Sequence, residues 1–361
     1  MATLLEYKCP ACGGALNFDS SLQKMKCPYC DTEFEMEALE ALDQELNQVP
    51  QEDMTWQEQP QNQWQEEEEL QLRSYICNSC GGEIVTEATT AATNCLYCDN
   101  PVVMTQQFAG SLKPDLVIPF KLDKEAAKEA LKKHLSGKPL LPKLFKSENR
   151  IEKIQGVYVP FWLFDTEADA DIRYRATRVR TWSDSNYTYT RTSYYSIHRA
   201  GRLEFAGVPV DGSAKLANEL MESIEPFDLS QAEPFQTAYL AGFVADKYDV
   251  TSEESIQRAN ERIKTSTQNE FAQTVLGYTS VTPVNTSMHL DNSKVQYALY
   301  PVWILNTKYQ GKEYLFAMNG QTGKFVGNLP VDRKAAFTWW AGLTAAVGAA
   351  AFLIQWLATV L

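Results

Sequence analysis

The chain has 361 residues, of which 44% are hydrophobic, so it is long enough for two or three folded units. Its formal net charge is −13, and much of that charge lies in one place. The segment from Asp31 to Leu72 contains fourteen acidic residues and no lysine or arginine. Such a segment repels nucleic acid, so the composition argues against nucleic-acid binding as the main activity.

The amino terminus predicts a cytoplasmic location. The first eight residues, MATLLEYK, are too short and too polar for a secretory signal peptide. All eight cysteines of the chain follow within the first hundred residues. In a reducing compartment such cysteines favour metal binding over disulfides.

The cysteines form two cassettes with the same spacing, C-x2-C, fourteen residues, then C-x2-C. Two residues between cysteines allow one tight turn to direct both sulfurs at one ion, and two such turns complete a tetrahedron. Four thiolates with no open position favour structural zinc, two ions in all, over the alternatives of iron or of unrelated cysteines. Zinc binding, on the order of 10–16 kcal/mol, would supply most of the folding free energy of modules this small. The predicted ligands are Cys9, Cys12, Cys27, Cys30, Cys77, Cys80, Cys95 and Cys98.

Both cassettes resemble the zinc ribbon at the amino terminus of the transcription factor TFIIB. The matching segments are YKCPACGGAL with MKCPYCDTEF and, more loosely, YICNSCGGEI with TNCLYCDNPV. Asp31 and Asp99 occupy the position after the last cysteine where such ribbons commonly have glycine. The resemblance implies one ribbon over residues 1–34 (ribbon 1) and a second over 74–110 (ribbon 2).

The segment between the ribbons, residues 35–73, reads as a short acidic helix followed by a tether. Apolar residues from Met36 to Leu46 recur at helical spacing. The following Gln- and Glu-rich stretch has no apolar period and predicts disorder. Trp56 and Trp64 either anchor a partner or rest on the protein's own surface.

Residues 111–332 predict a mixed α+β region, and a faint repeat relates residues 116–212 to 239–332. A strand end followed by a helix occurs in each copy, and Thr251 with Glu254 predicts a capping box before the second helix. Each copy then has an aromatic strand with a proline two residues before a tryptophan, Trp162 or Trp303, that we expect in the core. The third match that we expect joins GVPVDGSA at Gly207 to GNLPVDRKA at Gly327.

One strand of this region carries many arginines. Arg173, Arg175, Arg178 and Arg180 alternate with other residues and predict a basic sheet face. That face either meets anionic lipid headgroups or the acidic tether, or it is simply solvated.

Sequence motifs of catalysis were not found, so we expect no enzyme. His134, His198 and His289 are the only histidines, and none lies at a metal spacing or beside a suggestive serine or cysteine. NGQTGK, from Asn319 to Lys324, lacks the spacing of a phosphate loop and predicts a hairpin turn.

The tail from Ala335 to Leu361 has no charged residue. As a helix it would be roughly 40 Å long, enough to cross a hydrocarbon core of about 30 Å. Trp339 and Trp340 suit a membrane interface, and Arg333 and Lys334 suit its cytoplasmic side. The expectation is a single-pass helix over 335–361 in the cell membrane; the alternative is a buried helix of the globular region.

The predicted fold class is therefore α+β and multidomain, with two ribbons, an α+β region and a transmembrane helix. This arrangement resembles bacterial TFIIB-type zinc-ribbon membrane proteins. The resemblance implies partners of the phage-shock-protein-A or band-7 type, which are membrane scaffolds, and a role in envelope stress. We expect a membrane-anchored adaptor whose two ribbons bind a repeating partner bivalently. The alternatives are a nucleic-acid-associated protein and an enzyme with a site in the middle region.

Overall fold

The computed structural model of the chain describes residues 7–47, 52–87, 94–107 and 112–360. The chain forms two compact units. Unit 1 comprises Met1–Glu58, Phe164–Val208 and Ile256–Lys294, and unit 2 comprises Gln59–Leu163, Pro209–Ser255 and Val295–Leu361. The predicted α+β region is thus divided between the units, because long strands contribute residues to both.

The described residues contain both strands and helices. The strands are β1 (Asn17–Asp19), β2 (Lys24–Lys26), β3 (Glu33–Phe34), β4 (Leu72–Ile76), β5 (Glu83–Glu87), β6 (Val103–Gln107), β7 (Leu116–Val117), β8 (Gln155–Ser183), β9 (Thr188–Asp211), β10 (Glu233–Pro234), β11 (Val244–Asp246), β12 (Ser280–Tyr309), β13 (Lys312–Asn319) and β14 (Phe325–Gly327). The α-helices are α1 (Met36–Asn47), α2 (Glu66–Glu69), α3 (Lys124–Leu135), α4 (Glu148–Ile151), α5 (Asn218–Ser223), α6 (Ser252–Gln273) and α7 (Arg333–Val360). Short 3-10 helices cover Lys143–Lys146, Leu229–Gln231 and Thr237–Leu240.

Ribbon 1 lies in unit 1 as a small three-stranded antiparallel sheet in the order β1-β2-β3. Its core is a small group of buried residues that includes two of its cysteines and Leu39 of α1. A core of this size contributes little folding free energy, so an ion bound by the four cysteines would have to supply the rest.

In the rest of unit 1, buried and more exposed residues alternate along β8. Thr166, Ala168, Ala170, Ile172 and Tyr174 are buried, and the residues between them are polar and more exposed. This period of two gives the strand one apolar face. Helix α6 packs on that face, where the Tyr174 hydroxyl donates to the Gln268 carbonyl at 2.8 Å.

The segment expected to be a disordered tether packs where it is described. In unit 1, Trp56 is buried, donates from Nε1 to Asn260 Oδ1 at 2.8 Å and contacts the Phe164 ring edge-to-face. In unit 2, Trp64 contacts the Phe235 ring edge-to-face. The two tryptophans thus rest on the protein itself, because packing a large aromatic ring removes apolar surface from water.

One large mixed sheet has the strand order β10-β7-β12-β8-β11-β5-β4-β6, β13 and β14 extend it from β12, and β9 pairs with β8. Its short strands lie in unit 2, and β8, β9 and β12 have residues in both units. Strands β4, β5 and β6 belong to ribbon 2, so this ribbon is part of the sheet. Its cysteines Cys77, Cys95 and Cys98 lie in the same hydrophobic cluster as Phe161 and Tyr300.

Trp162 lies in the core of unit 2 and holds the start of α6. Its Nε1 donates to the Val250 carbonyl at 2.9 Å, one residue before the predicted capping box of Thr251. That capping box is confirmed, with reciprocal bonds of 2.8 and 3.3 Å between Thr251 and Glu254. The Gly212 amide donates to the carbonyl of Pro160, two residues before Trp162, at 2.8 Å.

Trp303 makes the matching contacts at the start of α3. Its Nε1 donates to the Leu122 carbonyl at 3.1 Å, one residue before Asp123, which caps α3. The Gly320 amide donates to the carbonyl of Pro301, two residues before Trp303, at 2.8 Å. Each tryptophan therefore binds the helix start of the other predicted copy.

The matched contacts pair Gly212 with Gly320, since the amide of each donates to the carbonyl of a proline two residues before a tryptophan. The predicted match of Gly207 with Gly327 has no such pair of contacts among the described residues and stays a prediction. Gly320 lies in the turn between β13 and β14, so the predicted hairpin turn at Asn319–Lys324 is confirmed.

Helix α7 begins after Asp332, whose Oδ1 accepts from the amides of Lys334 and Ala335. It is long and apolar enough to cross a membrane, and every side chain from Phe337 to Trp356 is exposed. The alternative of a buried helix in the globular region is therefore wrong.

Candidate metal centres and exposed surfaces

The structure brings the predicted ligands of ribbon 1 together. The four Sγ atoms of Cys9, Cys12, Cys27 and Cys30 all lie within 4.8 Å of one another. Two of the Sγ–Sγ distances are 3.6 Å, for Cys9 and Cys30, and 3.4 Å, for Cys12 and Cys27. A tetrahedral ion with Zn–S bonds of about 2.3 Å requires separations of roughly 3.8 Å. The four sulfurs therefore fit zinc after a small adjustment.

Ribbon 2 has a second centre of the same kind. The Sγ atoms of Cys77, Cys80, Cys95 and Cys98 also lie within 4.8 Å of one another. Cys77 and Cys98 are 3.4 Å apart and Cys80 and Cys95 are 3.5 Å apart. Two centres of four thiolates each can hold metal ions, and the donor set suits zinc.

The turns of the two ribbons have matching backbones. Gly13 and Gly81 have positive φ angles of 77° and 71°, as a tight turn beside the sulfurs requires. Asp31 and Asp99, which replace the usual glycine, have φ angles of 55° and 57°. Aspartate tolerates this left-handed conformation better than most residues, so the substitution leaves the turn intact.

Polar groups lower the thiol pKa of one cysteine in each centre. The hydroxyl and then the backbone of Thr32 lower the pKa of the Cys30 thiol to about 6. Burial raises the pKa of the Cys77 thiol, but the amides of Cys80 and Ser79 outweigh that effect and bring it to about 7. At Cys9 and Cys95 burial dominates and raises the thiol pKa above its ordinary value. Because the thiolate is the form that binds metal, an ion would have to displace the protons of those two thiols.

The two ribbons differ in what surrounds them. In ribbon 1, Cys12 and Cys30 are exposed and the Tyr29 ring is 76% exposed. In ribbon 2 the equivalent tyrosine, Tyr97, is only 7% exposed. Phe18 on β1 adds a second exposed aromatic side chain to ribbon 1.

Ribbon 2 is held in unit 2 by backbone and side-chain contacts. β5 pairs with β11, with Ile84 opposite Asp246. The Asn306 side chain donates to the Tyr97 carbonyl, and Lys153 pairs with Asp99 at 2.8 Å. The surface that ribbon 1 exposes is therefore covered in ribbon 2.

A buried carboxylate lies where ribbon 2 joins the sheet. Asp246 is 3% exposed, and the Ser213 hydroxyl donates to its Oδ2 at 2.6 Å. Burial raises the pKa of Asp246 to about 7, while Ser213 and then Tyr97 oppose the shift. No motif surrounds Asp246 in the sequence, and only the pairing of β5 with β11 buries it.

The four arginines of the predicted basic face do not share one face. Arg173 and Arg175 lie between the buried residues of β8, on the opposite side from α6. Arg178 has the parity of the buried residues: it donates to the Gly277 carbonyl and lies over Tyr278, after α6. Arg180 has the same parity as Arg178. The expectation failed because two residues, not one, separate Arg175 from Arg178.

Strand β8 also carries an acidic row that no sequence motif marks. Four alternate residues of DTEADAD lie on the side away from α6 and end next to Arg173. Arg202 is within 3.5 Å of two of them and of Asp291, and His198 Nε2 lies 2.8 Å from Asp171. Neighbouring strands thus compensate much of this charge. The acidic residues of the row are Asp165, Glu167, Asp169 and Asp171.

A polar cleft of about 220 Å³ lies in unit 2 beside ribbon 2. Asp99 and Lys153 line it and form an ion pair with each other, and Asn94, Gln155 and Asn306 add amide groups. The lining is polar, and its charged pair is already satisfied.

The predicted membrane-interface residues lie in the first two turns of α7. Trp339 and Trp340 are both more than half exposed, and Arg333 and Lys334 are exposed at the amino end of the helix. Exposed tryptophans next to basic residues are typical of an interfacial anchor.

Comparison with known proteins gives one informative match. No protein-family model and no solved structure matches the chain. The chain is 35% identical over 340 residues to the "uncharacterized protein YdjG" of Bacillus subtilis (strain 168), and the match covers 94% of each protein. The similarity therefore extends well beyond the ribbons.

Proposed function

The chain belongs to the same family as the Bacillus subtilis protein YdjG, and we propose that it is a membrane-anchored cytoplasmic adaptor whose first zinc ribbon binds a protein partner. The observation that carries the proposal is the contrast between the ribbons. Ribbon 1 offers Tyr29 and Phe18 to solvent, whereas ribbon 2 uses the equivalent tyrosine as core. Exposed aromatic side chains on a rigid module are typical of binding surfaces.

The location in this proposal rests on α7. Its length, its composition and its exposed side chains support a single crossing of the cell membrane. The basic pair Arg333 and Lys334 precedes the apolar stretch, which favours a cytoplasmic amino-terminal region.

The structure changes the bivalent hypothesis. Because Tyr97 is buried and its carbonyl is occupied by Asn306, ribbon 2 cannot offer the surface that ribbon 1 offers. We therefore assign different roles to the two zinc ions. The ion of ribbon 2 stabilises unit 2, and the ion of ribbon 1 stabilises a binding module.

A protein partner fits the charges of ribbon 1 better than nucleic acid does. Lys24 pairs with Glu35 at 3.0 Å and Lys26 pairs with Asp31 at 3.5 Å, so two of its three lysines are already neutralised. The partner class that we propose is a membrane scaffold of the phage-shock-protein-A or band-7 type, on the resemblance of the overall arrangement.

The test is a nuclease-treated pull-down of the full-length protein from detergent-solubilised membranes, with bound proteins identified by mass spectrometry. We expect the wild type to retain a scaffold partner in stoichiometric amounts. Replacing Tyr29→Ala together with Phe18→Ser should lower its recovery at least about tenfold, as for a hot spot.

The matched control is Leu276→Ser, which removes an apolar side chain that is 80% exposed elsewhere in unit 1. The control should retain the partner. Equal recovery with the ribbon-1 variant would show that another surface binds, and a wild-type preparation without any partner would overturn the adaptor function.

We also infer that the core of unit 2 arose by duplication of one strand-helix-strand element. The paired contacts of Trp162 and Trp303, each to the helix start of the other copy, support this inference. Two identical chains in a symmetric dimer would exchange contacts in this way, so the pattern suits copies that were once separate chains.

A further inference from the structure

The end of the β8–β9 hairpin is a basic and aromatic surface. Residues 172–202 contain seven arginines and Asp184 as the sole acidic residue, within a protein of net charge −13. At the tip, Trp182 is 51% exposed and Tyr187 is 67% exposed. Tyr189 is also exposed, and its ring stacks on Trp182 at 5.7 Å with an interplanar angle of 15°.

Cross-strand contacts define which side chains face each other. Thr181 contacts Thr190 and Ser183 contacts Thr188 through their hydroxyls, and Trp182 stacks on Tyr189 between them. The same register places Arg180 directly opposite Arg191. Alternation then puts the two arginines on the face of the stacked rings. The arginines are Arg180 and Arg191, and the rings are Trp182 and Tyr189.

Among the described residues, no carboxylate neutralises the two arginines. Both are exposed, and no carboxylate of the described residues lies within ion-pair distance of either one. Like charges placed directly opposite each other destabilise a strand pair. An anion bound between them would remove that cost.

The carboxylate of Asp184, at the tip, accepts hydrogen bonds from within the turn. Its Oδ1 accepts from the amides of Asn186 and Tyr187 at 2.8 and 2.7 Å, and its Oδ2 accepts from the Tyr189 hydroxyl at 2.9 Å. The carboxylate therefore shapes the turn and holds one of the exposed rings in place.

We infer that this hairpin tip, residues 180–191, binds the surface of an anionic lipid bilayer. Trp182, Tyr187 and Tyr189 would enter the interfacial region, which tryptophan and tyrosine prefer. Arg180 and Arg191 would bind lipid phosphates, which attract juxtamembrane basic residues.

Charge and anchoring favour a bilayer over nucleic acid as the occupant. A chain with net charge −13 is repelled by nucleic acid as a whole, whereas a membrane helix keeps a bilayer close at all times. The choice of a bilayer as the occupant is the one step of the inference that rests on the proposed membrane anchoring. The side chains that form the hairpin surface include none from α7.

The experiment compares backbone hydrogen exchange of the full-length protein in two kinds of nanodisc, one of phosphatidylcholine alone and one with a third of phosphatidylglycerol. We expect exchange in residues 180–191 to slow roughly tenfold with the anionic lipid. The variant Arg180→Glu with Arg191→Glu should lose this difference. Trp182→Ala with Tyr189→Ala should reduce it.

The control is Arg73→Glu with Lys312→Glu, which makes the same charge change at exposed positions of unit 2 and should keep the protection. Equal exchange in both nanodiscs would overturn the inference. The inference would also be overturned if hairpin exchange slowed only when single-stranded DNA was added to the protein in detergent, and not with anionic lipid.

The design separates this inference from the anchoring. Incorporation of the chain into nanodiscs reports on α7 alone. If the chain fails to incorporate, the same hairpin exchange is measured with phosphatidylglycerol vesicles added to the protein. Protection there would support the hairpin site without the anchor, and unchanged exchange would refute it.

Discussion

The two ribbons have the same ligands, the same turns and the same tyrosine, yet they are used differently. Ribbon 1 keeps its own three-stranded sheet and exposes Tyr29, whereas ribbon 2 joins the large sheet of unit 2 through β5 and buries Tyr97. A zinc centre holds its turns with few other contacts, so it leaves the rest of the module free to be surface or core. The ligand pattern alone therefore does not reveal which role a ribbon has.

The largest expected effect comes from removing the metal centres one at a time. Cys77→Ser with Cys95→Ser should unfold unit 2, because a structural zinc site contributes on the order of 10 kcal/mol and a domain is stable by only about 5–15 kcal/mol. Cys9→Ser with Cys27→Ser should unfold ribbon 1 alone. Hydrogen exchange across the chain checks both, together with a zinc content that falls from two ions to one in each variant.

If both variants lose protection over the same small number of residues, the contrast between a surface ribbon and a core ribbon is wrong. Loss of iron instead of zinc would correct the identity of the ion but not the contrast.

The next effect concerns pH and the carboxylate beneath ribbon 2. The folded pKa of Asp246, about 7, lies above its unfolded value of 3.8, so the native state holds the proton over that interval and stability falls as pH rises through it. Asp246→Asn should remove this loss, which is at most about 4 kcal/mol. Tyr97, Asp249 and Lys215 also face Asp246 and contribute smaller effects.

Thermal unfolding between pH 5 and 8 measures the difference in stability between the wild type and the variant. The titration of the zinc ligands contributes equally to both proteins and cancels in that difference. The control is Asp228→Asn: hydrogen bonds from Ser230 lower the pKa of Asp228, so its contribution is lost only in more acidic solution. A wild type and an Asp246 variant with parallel pH profiles would contradict the prediction.

The smallest expected effect is a difference in stability between alanine substitutions at the two glycines next to the tyrosine rings. A Cβ at Gly82 would lie 2.9 Å from the buried Tyr97 ring, and one at Gly14 would lie 2.5 Å from the exposed Tyr29 ring. Gly82→Ala should cost about 1–3 kcal/mol, since the buried ring has no room to move. Gly14→Ala should cost less than about 1 kcal/mol although its contact is closer, because Tyr29 can rotate into solvent.

Hydrogen exchange of peptides from each ribbon reports the two local stabilities. The order of the two costs is the informative result. A larger cost for Gly14→Ala would mean that Tyr29 is fixed, and its exposure would then be a poor guide to a binding surface.

Several features were predictable because they depend on residues close together in sequence. The cysteine spacing predicted both four-cysteine clusters, the apolar tail predicted α7, and Thr251 with Glu254 predicted a helix start. Each involves one turn or one helix. The packing of Trp56 was not predictable, because its partner Asn260 lies more than two hundred residues away in the chain.

The basic strand shows the limit within a single element. Alternation was visible in the sequence, but the step from Arg175 to Arg178 moves the later arginines to the other face, and α6 determines which face is core. The acidic row that precedes Arg173 is just as regular, but alternating charge is not a motif that indicates a function.

The sequence by itself determined the two four-cysteine centres, the apolar helix and the mixed composition of the middle region, because spacing and hydropathy act locally. The tertiary structure alone decided which ribbon is surface and which is core, where the middle region divides, and that Asp246 is buried. Those outcomes depend on which strands pair, and pairing is set by the sum of contacts between segments far apart in the chain.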